Sequence, residues 1–239
     1  MQSTTDSTTT TITLPVLDGH PDCTRCDLHE QATSPGIPTV HYTCSLTPNP
    51  STPALFVIGQ NPGFHEDRQA TPFVGRSGDI LKKSYLGGLD FCSRCSVYLG
   101  NGVRCHTTNN QTPKPKNYRE CNQYLLEDLQ ALAAVHDQLV ILTLGAPATA
   151  SFYKDVLGQK RVSLTGSFGL NGTAYADHHI EGVGELTMFS TYHPAAVMRN
   201  HNHINSVHAH MQLVSDFLDG TMATPSEPEI IPTRSPKTW

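Results

Sequence analysis

The chain has 239 residues, 37% of them hydrophobic, and a formal net charge of −5. This length can bury the core of one α/β domain, and no apolar run approaches the roughly 20 residues that a membrane-spanning helix needs. The N-terminal MQSTTDSTTTTIT lacks the basic and apolar regions of a secretory signal. These features exclude a membrane protein and favour a cytoplasmic one, while the negative charge by itself gives no support for a nucleic-acid partner.

Both ends of the chain have the composition of disordered tails. Residues 1–13 are mostly Ser and Thr, and residues 221–239 are rich in Pro, Ser and Thr without a periodic pattern. The sequence therefore predicts one folded domain over residues 14–220, which we expect to be a monomer, between two disordered tails.

Four apolar runs of strand length lie inside this domain, at 54–58, at 97–99 extending towards 103, at 139–144 and at 186–191. Helical patterns lie around 79–85, from an Asn117–Glu120 capping box to Leu132, and from Ile204 to Leu218 before Gly220. Strands that alternate with helices predict an α/β fold, a three-layer α/β/α sandwich with a central, mostly parallel four-stranded sheet.

The residues that directly follow these runs are the candidates for a site. In a parallel sheet, ligands bind beyond the carboxyl ends of the strands. The four segments there are GQNPG at 59–63, Gly100-Asn101, GAP at 145–147 and YHP at 192–194. Amide, imidazole and glycine residues at one sheet edge predict a binding site in which a ligand approaches the backbone closely.

These side chains suit the cleavage of an N-glycosidic bond. In that reaction the sugar gains oxocarbenium character and the base departs with negative charge, so the site needs a positioned water and a donor to the base oxygen. It also needs a group that reads the edge of a flipped base and a flat group that stacks on it. Asn61, His193, Asn101 and Phe73 can take these four roles in that order. Each alone reads as an ordinary turn or core residue, and only their joint placement favours the site.

Four segments, in order along the chain, resemble motifs of the uracil-DNA glycosylase superfamily, most closely its thermophile-type, iron–sulfur family 4. VIGQNPGFHEDRQATPFVGRSGDIL at 57–81 resembles the first motif, and YLGNGVRC at 98–105 resembles the strand with the uracil-reading Asn. TYHPAAVMRN at 191–200 resembles the His-Pro motif, and NNQTPKP at 109–115 with Cys121 resembles the loop and helix that carry the last cysteine. The likeness covers about residues 20–219.

The resemblance implies a DNA-repair hydrolase that flips uracil out of single- or double-stranded DNA and cuts its bond to deoxyribose. The implied catalytic residues are Asn61 and His193, the latter donating to uracil O2. The implied uracil-binding residues are Gln60, Phe73 and Asn101. Ser77 and Arg199 would face DNA phosphates, and Val197 or Met198 would fill the base stack once uracil leaves.

This chain departs from the family-4 pattern in its first motif. Gln60 and Asn61 replace a Glu-Ala pair, as in branches that use Asn to orient water. Asn cannot act as a base, so we expect catalysis by positioning and a slower enzyme than one with Asp there. Gly63 stands where the fast branch has a Tyr that excludes the 5-methyl group, so 5-substituted uracils are further expected substrates. A catalytically weakened DNA-binding or sensing protein is the alternative.

Seven cysteines, an odd number, fit poorly with a disulfide framework and favour thiols in a reducing compartment. Cys23/Cys26 and Cys92/Cys95 are C-x2-C pairs, whose spacing alone favours a zinc site. The rival set is Cys23, Cys26, Cys105 and Cys121, which suits a [4Fe–4S] cluster. The resemblance implies this second set, and fifteen residues between Cys105 and Cys121 fit it. Cys44 is left as a buried or idle thiol.

Overall fold

The computed structural model describes residue 15 and residues 17–43, 51–159 and 175–222, with only the backbone described for 175–177. The predicted tail at 1–13, most of the predicted tail at 221–239 and Cys44 lie outside these ranges. The domain bounds 14–220 therefore stay a prediction. Among the described residues, no helix has the length and apolar character needed to cross a bilayer.

The centre of the fold is a six-stranded sheet in the order β1-β3-β2-β4-β6-β5. Its strands are β1 (Val40–His41), β2 (Ala54–Gly59), β3 (Ser96–Asn101), β4 (Leu139–Leu144), β5 (Tyr175–Ile180) and β6 (Gly184–Thr191). The four predicted runs form β2, β3, β4 and β6, which pair in parallel. The predicted α/β class with a mostly parallel sheet is confirmed.

The predicted number of four strands was wrong, because β1 and β5 add an antiparallel strand at each edge. β1 has only two residues, too few to show a periodic pattern. β5 reads YADHHI and contains no apolar run. Neither edge strand needs the continuous apolar sequence that burial on both faces imposes on a central strand.

Every residue of β2, β3 and β4 is buried, which explains their continuous apolar sequence. Side chains of successive residues point to opposite faces. Leu55 and Val57 of β2 belong to one core cluster, and Phe56 and Ile58 belong to the other. The parallel register pairs Gly59 with Asn101, so the polar ends of these two strands lie side by side.

Helices cover both faces of the sheet. They are α1 (Phe64–Gln69), α2 (Arg76–Ile80) with a π-helical continuation (Leu81–Leu86), α3 (Pro115–Ala133), α4 (Ala146–Ser151) with a π-helical continuation (Phe152–Val156), α5 (Pro194–Arg199) and α6 (Ile204–Leu218). The α2 continuation and α6 pack in the first core cluster, and α3 and the α4 continuation pack in the second. The result is the predicted three-layer arrangement.

Two helix boundaries test the sequence signals. α6 has the predicted bounds, and Gly220 follows it with a φ of 66°. The predicted cap at Asn117 was wrong, because α3 begins at Pro115 after Lys114. Asn117 lies in the first turn, where its Oδ1 accepts from the Lys114 N–H at 2.8 Å. The same amide donates to Asp27 Oδ1 at 3.0 Å and so ties α3 to the N-terminal segment.

Candidate active site

A cleft of about 1190 Å³ lies beyond the carboxyl ends of the parallel strands. Its walls come from the loops after β2, β3, β4 and β6 and from α2, α5 and α6. All seven residues that the sequence predicted for catalysis, uracil binding and DNA binding line this cleft: Gln60, Asn61, Phe73, Ser77, Asn101, His193 and Arg199. The topology thus brings together side chains that are up to 139 residues apart, from 60 to 199.

Asn61 is held by its neighbours in one orientation. Its Nδ2 donates to the Pro62 carbonyl at 3.0 Å and to Thr107 Oγ1 at 3.3 Å. Its Oδ1 accepts from Gln60 Nε2 at 3.0 Å. An amide oxygen has two lone pairs, so this Oδ1 keeps one for a further donor such as water. Asn61 can therefore orient a water molecule, but it cannot remove its proton.

Asn101 ends β3 and is 9% exposed. Its side chain lies so close to the paired strand that a Cβ atom on Gly59 would be 2.5 Å from Asn101 Oδ1. The same Cβ would be 2.8 Å from Cζ of Phe73. Gly59 therefore provides the space in which an amide and an aromatic ring stand next to each other.

Phe73 has a φ of 54°, in the left-handed region that residues with a Cβ rarely adopt. Gly78 makes this conformation compatible with the following helix, because a Cβ there would overlap the Phe73 carbonyl. Phe73 is largely buried yet lines the cleft. Strained backbone of this kind costs about 1–3 kcal/mol and persists where the surroundings fix it, often at functional sites.

His193 immediately precedes α5 and lines the cleft. Its Nδ1 accepts a hydrogen bond from the Ala195 N–H at 3.1 Å, so the neutral ring carries its proton on Nε2. Burial, with a smaller contribution from Arg199, lowers the pKa of His193 to about 4. The imidazole is therefore neutral at pH 7 and offers one N–H. Gly145, with a φ of 82°, lets the His193 side chain lie close to the loop after β4, since a Cβ on Gly145 would be 3.1 Å from His193 Cβ.

Glu66 is a cleft residue that the sequence analysis did not select. Its Oε1 accepts from the Gly75 N–H at 2.9 Å, which ties α1 to the start of α2. A Cβ on Gly63 would lie 2.7 Å from Glu66 Oε2, so the carboxylate occupies the space beside this glycine. The charge of Glu66 also acts on His193, whose pKa it raises slightly against the dominant effect of burial. Only the fold reveals these contacts; the sequence signal was an acidic pair in the first motif.

Tyr192, which lies in the predicted YHP segment but was given no role, and His210, which the sequence did not indicate, also line the cleft. The Tyr192 ring stacks on His203, with centroids 4.2 Å apart, and lies nearly parallel to His210 at 6.2 Å. His210 Nδ1 is hydrogen-bonded to Thr191 Oγ1 at 3.1 Å. These contacts fix the wall next to His193 and connect it to α6.

The basic residues near the sequence motifs do not all face the cleft. Arg199 lines the cleft, but Arg104 is 2% exposed and forms a buried ion pair with Asp128. Lys114 Nζ lies 3.6 Å from Oδ2 of Asp27, a residue of the N-terminal segment. Val197 was also misplaced as a candidate for filling the base stack, because it is 4% exposed and packs in the core.

Cys26, Cys105 and Cys121 are buried together in a small core with Leu28 and Tyr118. Burial raises the pKa of Cys105 to about 11 and that of Cys121 to about 12, and charges on Cys23 and Cys26 raise both further. The four thiols of the predicted cluster set therefore lie near one another. The Gly36 N–H donates to the Cys105 sulfur at 3.4 Å, a contact typical of thiolates that hold a metal centre.

Among the residues that the structure describes, no group of three or more His, Cys, Asp or Glu side chains is arranged to hold a single metal ion. Zn–S bonds of about 2.3 Å require thiolates close to one point. A cluster of four irons separates its thiolates further, so the two centres need different spacings of the same donors.

The second C-x2-C pair behaves differently. Cys95 is a buried free thiol, whereas Cys92 takes part in a disulfide. The expectation that the chain contains no disulfide was therefore wrong. Because Cys92 is already bonded, Cys92 and Cys95 do not form a thiolate pair, and the zinc set that spacing alone suggested loses one of its four donors.

A family model described as the uracil DNA glycosylase superfamily matches residues 47–215. This match spans most of the chain and all the loops that line the cleft. The chain therefore belongs to the uracil DNA glycosylase superfamily, and the recognition from the four motifs is confirmed.

Within the superfamily, the chain is similar to proteins named type-4 uracil-DNA glycosylase. The protein from Thermotoga maritima is 32% identical over 182 residues, which cover 74% of this chain and 79% of the relative. Those from Sulfurisphaera tokodaii (30% identical, 75% and 73% covered) and Archaeoglobus fulgidus (31%, 74% and 78%) match to a similar extent. This identity and coverage assign the chain to the type-4 family.

Proposed function

We propose that this protein is a uracil-DNA glycosylase, a hydrolase that cuts the N-glycosidic bond between uracil and deoxyribose and so begins base excision in DNA repair. One observation carries the proposal. A single cleft presents an oriented amide at Asn61, the Asn101 amide next to the Phe73 ring, and a neutral imidazole with its proton on Nε2. These groups match the demands of the reaction one by one.

Recognition of the flipped base falls to Asn101 and Phe73. Extruding a base costs a few kcal/mol of stacking and pairing, which a pocket recovers by stacking on the base and bonding to its edge. The Phe73 ring supplies the stacking surface, and the Asn101 amide supplies both a donor and an acceptor for the uracil edge. Single strands and G·U mismatches are the easier substrates because less stacking and pairing is lost.

His193 stabilises the leaving base. As the glycosidic bond breaks, negative charge develops on uracil O2, and a fixed donor in a partly desolvated site stabilises that charge more than water does. The Nε2–H of His193 is such a donor. Its low pKa keeps the ring neutral, so His193 donates a hydrogen bond to uracil without placing a positive charge beside the bound substrate.

Asn61 positions the water that attacks the sugar, using the free lone pair of Oδ1. Gln60 supports this role because its amide holds the Asn61 oxygen in place. No carboxylate stands at position 60 or 61, so catalysis there is by positioning alone. Ser77 and Arg199, on α2 and α5 at the cleft, bind phosphates on either side of the extruded nucleotide.

The four cysteines 23, 26, 105 and 121 would hold a [4Fe–4S] cluster. Their thiol donors are near one another, and the Gly36 N–H already points at one sulfur. When bound, the cluster supplies a structural cross-link between the N-terminal segment, the loop after β3 and α3; hydrolysis itself requires no electron transfer. The residues of the chain perform every step of the reaction.

We also propose that 5-substituted uracils are substrates. Gly63 leaves the base pocket without a bulky side chain, and the groups next to it are Glu66 Oε2 and, 3.9 Å from the position of a Cβ, Asn110 Oδ1. These oxygens favour a substituent that donates hydrogen bonds. 5-Hydroxymethyluracil should therefore be excised faster than thymine from a G mismatch. Excision of uracil alone, with neither of the other two, would contradict this part of the proposal.

We also propose a monomer that works in the cytoplasm, because the predicted catalytic, uracil-binding and DNA-binding residues of a single chain all line one cleft. Release of free uracil from a single-stranded oligonucleotide tests the activity directly. Asn61→Ala and His193→Ala should each lower the single-turnover rate by roughly 100-fold or more, because each removes one positioned group of the transition state. Tight DNA binding without uracil release by the unaltered protein would favour the alternative, a sensing protein on the same fold.

A further inference from the structure

Phe64 is the one large hydrophobic side chain that the described part of the chain leaves exposed, at 52%. It is the first residue of α1 and directly follows the GQNPG loop. It also lines the cleft, close to Asn61 and Glu66 in sequence. Exposed aromatic area beside a binding cleft costs hydration free energy in the free protein, which is recovered when a partner covers it.

One guanidinium and one imidazole ring lie beside this side chain. The guanidinium carbon of Arg68 lies 5.3 Å from the centroid of the Phe64 ring, and the His65 ring meets it edge-on at 5.5 Å. Arg68 is exposed, so its charge remains available to a phosphate. An exposed aromatic ring flanked by a cation is the arrangement that proteins use to stack on nucleobases and to bind the adjoining backbone.

The charge along the rest of the cleft favours the same partner. Arg76 and Arg199 line it and are exposed, and within the described residues neither forms an ion pair. Val197, the residue considered first for a contact with the base stack, is buried in the core. Phe64, in contrast, is an exposed apolar side chain at the rim of the cleft, where DNA can reach it.

We infer that Phe64 stacks on a nucleobase adjacent to the extruded uracil, while Arg68 pairs with the phosphate next to it. This inference rests on the proposed function, since it takes uracil-containing DNA as the occupant. Phe64 acts here as a positioning residue. It holds the strand so that the neighbouring nucleotide enters the cleft, and it does not touch the glycosidic bond.

The test is a binding measurement on single-stranded DNA that carries one 2′-fluoro-2′-deoxyuridine, a nucleotide that resists glycosidic cleavage. Phe64→Leu should weaken binding by roughly 5- to 100-fold, the range expected for the loss of one base–aromatic stack, and Phe64→Tyr should restore it. In uracil release, Phe64→Leu should raise KM by a similar factor and leave the single-turnover rate at saturating enzyme unchanged.

Tyr42→Leu is the matched control, because Tyr42 also faces a cation, Lys82 Nζ at 5.5 Å from its ring centroid, but lies outside the cleft. The Tyr42→Leu substitution should not affect DNA affinity.

A second experiment locates the stacked base by replacing the nucleotides that flank the uracil, one at a time, with abasic sites. At one of these positions, the unaltered protein and the Phe64→Leu variant should bind the abasic DNA with equal affinity. An equal loss with every abasic oligonucleotide, or no loss at all, overturns the inference. Failure of uracil release by the unaltered protein, with Phe64-dependent binding intact, would count against the proposed activity alone.

Discussion

At the scale of single residues, Gly59 connects the sheet to the site most directly. Its backbone conformation is ordinary, so alanine can adopt it, but the added methyl group would meet both Asn101 and Phe73. Gly59→Ala should therefore displace the base-recognition groups while the sheet survives. We expect uracil release to fall by roughly 100-fold, the cost of misplacing reacting groups by about 1 Å.

Gly88→Ala is the control for this substitution, since a Cβ there meets nothing within 4 Å. It should leave both the melting temperature and the activity unchanged. Uracil release at the unaltered rate by the Gly59→Ala protein would show that base recognition does not depend on the positions of Asn101 and Phe73.

His193 gives the reaction a distinctive pH dependence. Its pKa is lowered to about 4, so the active neutral form predominates at every pH above that value and is lost only as the pH falls through it. Single-turnover activity should be flat from pH 8 to about pH 5 and then decline. The His193→Gln protein should be slower, and its activity should not decline below pH 5 in this way, because glutamine does not titrate. A main inflection near pH 6.5 would show that the imidazole is solvated and not held by Ala195.

Residues that follow an apolar strand could be predicted from the sequence, because strand ends in a parallel sheet converge. Asn61, Asn101 and His193 were found in this way. Glu66 and Tyr192 could not be assigned roles, since their contacts join α1 to α2 and β6 to α6 across the fold. The strain at Phe73 was also beyond sequence reasoning, because it depends on the absence of a Cβ at Gly78.

At the scale of elements, Asp67 of α1 joins the cysteine-bearing N-terminal segment to the site. Its two carboxylate oxygens accept from the Thr33 and Ser34 N–H groups at 2.9 and 3.0 Å. Asp67→Asn places an NH2 group against one of these donors. We expect the free energy of unfolding to fall by about 2 kcal/mol, a typical value for a charged hydrogen bond in a buried setting. Urea unfolding measures this change.

Asp79→Asn serves as the comparison, because Asp79 is an exposed acid on the neighbouring α2. It should not alter the unfolding curve. Equal stability of the Asp67→Asn and Asp79→Asn proteins would show that residues 33–34 are anchored by other contacts.

The sequence predicted central elements better than peripheral ones. β4 and α6 were predicted residue for residue, because burial imposes a continuous apolar run on the first and an apolar stripe on the second. The edge strands β1 and β5 carry no such constraint. The start of α3 was set three residues too late, because the Asn117 side chain bonds back to Lys114 from within the helix and imitates a cap.

At the scale of the whole molecule, the cysteine-bearing segment, the loop after β3 and α3 meet in one small core. We predict that protein purified aerobically contains iron and absorbs at the blue end of the visible spectrum. Cys121→Ser should remove both signals and lower the melting temperature. Cys95→Ser should retain them, because Cys95 bonds to the Phe91 carbonyl at 3.2 Å and lies in the other core. Zinc in place of iron, without colour, would contradict the cluster.

Net charge predicted the partner poorly. The value of −5 is a sum over the chain, whereas the DNA contacts proposed here involve a few arginines around one cleft. Of these arginines, the sequence motifs indicated only Arg199. Arg104 is adjacent to a motif cysteine, yet its guanidinium is bound in the interior by Asp128 and by the Tyr124 carbonyl.

The central claim is that separate loops enclose one extruded pyrimidine, and a crystal structure with DNA containing 2′-fluoro-2′-deoxyuridine tests it most directly. We expect uracil to lie against the Phe73 ring, with its edge hydrogen-bonded to the Asn101 amide and its O2 within hydrogen-bond distance of His193 Nε2. Uracil that remains stacked in the DNA, or that binds elsewhere while these three residues contact solvent, would contradict it.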